Sequence, residues 1–186
     1  MDQLESVVLE LLREKLGHFK TFAQVAKHKG EQSKGQAPQF KTEKWLQAEL
    51  VVRLWARGMN AIPEYTKKEK WDIYVPVSVQ LSVPYFLALK CLSDSDQNPN
   101  GDYTSVEKDL ISLVDFDPNR GKVSMVLILP LSESEKRKKY REGMLENIKN
   151  YARVKELEIQ PHKLTFALDS HEGIELMWIE PKSQIG

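Results

Sequence analysis

The chain has a single cysteine, Cys91, among its 186 residues, and no net charge, Lys+Arg and Asp+Glu each numbering 27. One thiol excludes an intramolecular disulfide and fits a reducing compartment; inside an apolar run beside Lys90, Cys91 reads as a small buried hydrophobe rather than a nucleophile. Balanced charge removes any global field that would draw in a polyanion, so affinity for nucleic acid has to come from a local basic face. No apolar run approaches the roughly 18 residues that a membrane span needs. The opening stretch MDQLESVVLELLREKL is acidic and interrupted by charges, unlike a signal peptide. Together these set the expectation of a soluble, cytoplasmic protein. Gly-rich phosphate loops, nucleophile elbows and zinc signatures are also missing, which argues against kinase, hydrolase-elbow and zinc-finger chemistry. His18, His28, His162 and His171 are never spaced as a metal pair and read as surface or locally hydrogen-bonded side chains.

What is present is a run of elements. The length suits one domain, 1–186, with a core that needs neither disulfides nor metals. Val7, Leu9, Leu11, Leu12 and Leu16 recur near helical spacing, predicting one or two helices over 2–27, and the polar stretch Gly30 to Gln39 reads as an exposed loop. Residues 1–40 are thus expected to be an N-terminal helical extension and loop, and 41–186 the core. Thr42 can cap a helix that carries Trp45, Leu46, Val51, Val52, Leu54 and Trp55 and stops at Gly58. Three short apolar pieces follow, MNAIPEY, WDIYVPV and PYFLALKC, with prolines that suit edges or breaks. After the polar loop SDSDQNPNGDY, a helix is expected to open at Thr104 or Ser105, then a buried strand KVSMVLILP, then a helix from Ser132 to Lys155 with Ser132 and Glu135 as a capping box. Two last strands, KLTFALD and IELMWIE, flank SHEG as a turn. This order predicts an α/β fold with a central mixed sheet flanked by helices.

Within that order two ionisable residues stand in apolar strands, Asp72 where WDIYVPV opens and Lys90 near the end of PYFLALKC. Burying either charge is costly without a partner or a metal ion, so their approach on neighbouring strands points to a site. A metal-dependent phosphodiesterase built this way needs a second carboxylate two residues before the lysine, and that position holds Ala88. Glu49 shares a helical row with Trp45, Val52 and Ala56, a face read as buried, and an acid there also wants a partner.

These residues, in this order of elements, resemble the PD-(D/E)XK, or restriction-endonuclease-like, nuclease superfamily over roughly Thr42 to Leu129. The resemblance implies that Glu49 is the helix glutamate, Asp72 the strand acid and Lys90 the motif lysine, with Ala88 in place of the second acid. It implies Mg2+ or Mn2+ held by Asp72 and Glu49, with Lys90 orienting or deprotonating water and neutralising charge in the transition state. The implied activity is endonucleolytic cleavage, of DNA, in a disabled form. Ala88 has three explanations: a natural inactive relative, an acid that has migrated in from elsewhere, or a deliberate replacement. The alternative function is a naturally inactive domain of the same fold serving as a binding or immunity-type partner, as a homodimer or a partner subunit.

Two basic clusters are candidates for the nucleic-acid path: Lys67, Lys68 and Lys70 just before Asp72, and Lys136, Arg137, Lys138, Lys139 and Arg141 in an early helical turn. The loop from Asn98 to Tyr103 is a further candidate for a DNA-facing turn, and Glu64 reads as a solvent-facing strand residue able to replace the missing ligand.

Overall fold

Alternation along the strands and helical periodicity between them build three layers. In a computed structural model of the protein, residues 3–18, 42–64, 71–91, 99–131, 135–166 and 169–182 are described. The elements are helix α1 (Gln3–Glu14), helix α2 (Thr42–Ala56), strands β1 (Ile62–Pro63), β2 (Ile73–Val75) and β3 (Tyr85–Cys91), helix α3 (Pro99–Val114), strand β4 (Lys122–Leu131), helix α4 (Glu135–Val154), and strands β5 (Leu157–Phe166) and β6 (Asp169–Pro181). The six strands form one mixed sheet in the order β1-β2-β3-β4-β6-β5, in which β3 and β4 are parallel and every other pair is antiparallel. A parallel pair needs a long crossover, and α3 is that crossover.

Because successive strand residues point to opposite faces, each central strand feeds two cores. Tyr85, Leu87, Leu89, Val126, Ile128, Leu176 and Trp178 face α1 and α2. Phe86, Ala88, Met125, Leu127, Met177 and Ile179 face Val106, Leu110 and Leu113 of α3 and Met144, Ile148 and Ala152 of α4. The aliphatic run in β4 reflects burial on both sides.

Helix α1 is part of this core and not an appendage to it: Leu4, Val7, Val8, Leu9, Leu11 and Leu12 are each no more than 1% exposed. Burying each contributes about 1.5–3 kcal/mol as an upper bound. Ion pairs with α2, Arg53 with Glu14, Arg57 with Glu10 and Lys15 with Glu49, add well under about 1 kcal/mol apiece, so apolar packing decides the docking. On the sheet side, His162 Nε2 lies 2.8 Å from the buried carboxylate of Glu5.

The expected succession of helices and strands is the observed one, with local corrections. Helix α2 ends as expected at Gly58, whose φ of 76° and the bonds Gly58 N to Trp55 O and Met59 N to Leu54 O form a Schellman cap. Helix α3 begins at Pro99, so residues 99–103 of the expected DNA-facing loop are helical; proline fits a first helical position, where its missing N–H leaves nothing unpaired. Strand β5 starts six residues earlier than its apolar core suggests and includes Pro161. Proline is tolerated because β5 is an edge strand. The SHEG segment lies within β6 rather than in a turn, next to a register irregularity at Thr165/Phe166. Ser132, the expected cap, and Gly30 to Gln39, the expected loop, lie outside the described residues.

Gly121 fixes where β4 meets β3. Its φ is 138°, a Cβ there would lie 2.3 Å from the Pro84 carbonyl oxygen, and the next amide, of Lys122, donates to that oxygen at 2.9 Å. Gly121→Ala is therefore expected to cost at least about 2 kcal/mol. Gly143→Ala, in helix α4 with open space around it, is expected to gain about 0.5–1 kcal/mol. Urea unfolding of the two variants checks both signs.

Candidate active site

The pairing of β2 with β3 places the two charged residues of the motif. Ile73 pairs with Leu87 and Tyr74 with Phe86, so the same register sets Asp72 opposite Ala88. One residue on, the Leu89 amide donates to Asp72 Oδ2 at 2.8 Å. Lys90 follows Ala88 by two residues and so shares its face. Ala88 itself is 3% exposed, packed among the apolar residues of the α3 side.

Other elements close around this strand end. Lys90 Nζ is 3.3 Å from Asp109 Oδ2 of α3 and 3.8 Å from Glu43 Oε2 of α2. Lys44 Nζ is 3.9 Å from Asp72 Oδ1, and it also bonds Gln47 Oε1 at 3.1 Å and the carboxylate of Glu64. Gln47 Nε2 donates to the Asp72 carbonyl, as does the Glu64 amide at 2.9 Å. Glu64 has a φ of 51°, a left-handed conformation uncommon outside glycine.

The helix carboxylate at this site is Glu43 and not Glu49. Glu49 pairs with Lys15 of α1, 3.1 Å away. The row through Trp45, Glu49, Val52 and Ala56 is not the buried one, since Val52 is 68% exposed. The row buried against the sheet runs through Gln47, Leu50 and Leu54, and followed back one turn it reaches Glu43. That stripe was the signal in the sequence. Glu64 is solvent-facing as expected, its side chain 66% exposed, and from there its carboxylate pairs with Lys44 at the rim of the cluster. Asp109 had no sequence signal beyond being an acid on a helix, because its approach depends on how α3 crosses β3.

The electrostatics follow from burial and crowding. Burial pushes the Asp72 carboxyl up to about 6; Glu43 and Asp109 push the same way, while the Leu89 amide and Lys44 oppose them. Burial pulls the Lys90 ammonium down, but Asp109, Glu43 and Asp72 together outweigh it and hold it above the ordinary lysine value. The hydrogen bond and charge of Lys44 hold Glu64 below the usual carboxylate range. Burial pushes the Cys91 thiol far up, in keeping with an inert side chain.

Among the described residues no three carboxylate, imidazole or thiol groups are grouped so as to hold a metal ion. Nor is any helix among them long and apolar enough to cross a membrane. The basic clusters divide: Lys67, Lys68 and Lys70 lie outside the described residues, whereas Lys136, Arg137, Lys138 and Lys139 occupy the first turns of α4, with Lys139 exposed. Since β4 runs parallel to β3, α3 and α4 both begin beyond the strand end that carries Lys90. No family model, no curated protein and no solved structure matches the chain.

The raised Asp72 carboxyl has a consequence for stability. Its folded value of about 6 exceeds the ordinary 3.8, so the folded state holds the extra proton between those values and stability falls as pH rises through that window. Asp72→Asn keeps an acceptor for the Leu89 amide and removes the charge. Above pH 7 it should be more stable than the parent by about 1–3 kcal/mol, a gap that closes below about pH 4. Denaturant unfolding at both extremes measures it; an equal gap at both would exclude the buried charge as the cause.

Proposed function

We propose that the chain is an endonuclease-like domain of the PD-(D/E)XK type, directed at the phosphodiester backbone of DNA and disabled by alanine at position 88. The observation that carries this reading is the cross-strand opposition of Asp72 and position 88, with Lys90 two residues further along the same face. Adjacent positions on neighbouring strands bring Cβ atoms about 5 Å apart, close enough for two carboxylates to share one ion. With alanine at 88 the donors present do not fit a divalent ion, as the absence of any group of three ligands among the described residues also indicates. A carboxylate at that one position would complete the pair with Asp72. Mg2+ or Mn2+, when bound to such a pair, supplies a nucleophilic water and positive charge for the phosphate.

Lys90 suits its part because Asp109 and Glu43 keep it charged and pinned, ready to neutralise a developing negative charge. The start of α4 lies at the same sheet end and supplies cations for a passing backbone. On that helix the buried Nε of Arg141 has no hydrogen-bond partner among the described residues.

A second reading, a naturally inactive binding or immunity-type partner, is favoured by one observation: Asp72 and Lys90 already have internal partners in Lys44, the Leu89 amide, Glu43 and Asp109. Restoring the acid separates the two. Ala88→Glu is expected to cleave plasmid or linear DNA in magnesium or manganese where the parent does not. A folded variant inert towards DNA and RNA in both metals would favour the partner-protein reading.

The nucleic-acid path has its own test. Replacing Lys136, Arg137, Lys138 and Lys139 together with Ala should weaken DNA binding about equally for all sequences, and flatten the salt dependence by about one unit of slope for each phosphate no longer neutralised. Titrations at several salt concentrations read this directly, and unchanged affinity and slope would mean that the turn is only a solvated helix face.

A further inference from the structure

We propose that the ammonium of Lys44 is a resident internal counter-ion of Asp72, closing the cation side of the site with a charge from the chain itself. The inference rests on the reading of Asp72 and position 88 as a carboxylate pair, and adds a second barrier to metal binding beside Ala88.

The oxygens of Asp72 are differently engaged. Oδ2 accepts the Leu89 amide at 2.8 Å, and Oδ1 faces Lys44 Nζ at 3.9 Å. Lys44 is held there chiefly by other groups. Gln47 Oε1, at 3.1 Å, and the Glu64 carboxylate grip the ammonium, and the same two residues grip Asp72, since the Gln47 amide and the Glu64 backbone N–H both donate to the Asp72 carbonyl. A closed cycle results: Asp72 carbonyl, Gln47 and Glu64, Lys44, Asp72 carboxylate. Gln47 is a buried polar side chain with both ends of its amide used in this cycle. Glu64 holds its place in a left-handed conformation, which persists only where surrounding bonds over-determine it.

A positive charge beside Oδ1 repels a second cation there, an effect that water at this half-exposed rim moderates but does not remove. The Lys44 side chain is 44% exposed, so its charge can be removed with little disturbance to the core.

The comparison that tests this uses the full chain carrying Ala88→Glu, with and without Lys44→Met, which keeps the aliphatic stem and deletes the charge. Mn2+ affinity is measured by calorimetry, and thermal unfolding is followed with and without Mn2+. The double variant is expected to bind Mn2+ at least about tenfold more tightly than Ala88→Glu alone and to gain more in Tm on adding the ion. Equal Mn2+ affinity with and without Lys44 would falsify the counter-ion role while leaving the carboxylate pair standing. No Mn2+ binding by either folded variant would overturn the carboxylate pair, and the counter-ion with it. If glutamate at 88 prevents folding, Ala88→Asp, one methylene shorter, carries the same comparison.

Discussion

Three residue pairs between β2 and β3 determine everything at the polar end of the sheet. Side chains alternate with a period of two, so a slip of one residue would send Asp72 to the α1 side and leave Lys90 without a carboxylate opposite its strand. The register is held from both sides. Ile73, Val75, Leu87 and Leu89 lock into the α1 and α2 core, while Tyr74 and Phe86, with ring centroids 4.9 Å apart, pack on the other face. The Leu89 amide bonded to Asp72 Oδ2 then ties the strand acid to its partner strand just where the ladder ends.

Around that fixed point four carboxylates, of Glu43, Glu64, Asp72 and Asp109, meet two ammonium groups, of Lys44 and Lys90, so the cluster is acidic when all are ionised. The two lysines are not equivalent. Lys90 rises from a buried strand and meets acids from two helices, whereas Lys44 sits on the first turn of α2, half-exposed, among Gln47, Glu64 and Asp72. Burial therefore divides the cluster into an inner half, Asp72 with Lys90, and an outer half, Lys44 with Glu64. Ion pairing of this kind also explains how a polar cluster persists beside the packed apolar core of Phe86, Ala88, Val106 and Leu110.

How much of this was legible in the sequence depended on distance along the chain. Continuous apolar runs such as PYFLALKC and VSMVLIL, and the glycine stop at Gly58, mark the order of elements and the strand positions of Asp72 and Lys90, because those signals are local. The face of α2 was misassigned. Trp45, Val52 and Trp55 look like core residues by type, yet Val52 and Trp55 are exposed, and the buried row ends at Glu43. A helix apolar on more than one side does not declare which side meets the sheet. The helical start at Pro99 was hidden by polar residues whose composition suits a loop equally well. Asp109 and the Glu5–His162 contact belong to tertiary approach, which no pattern of spacing encodes.

That last contact joins residues 157 positions apart, and the leucines of α1 share their core with Leu176 and Trp178 of the final strand. Helix α1 is thus matched to a surface that does not exist until β6 has been made. Closing so large a loop costs entropy before any contact rewards it, which slows folding and leaves a strongly apolar helix waiting in an unfinished chain. During synthesis the leucines of α1 need shelter until β5 and β6 arrive, and those two strands set when α1 can dock.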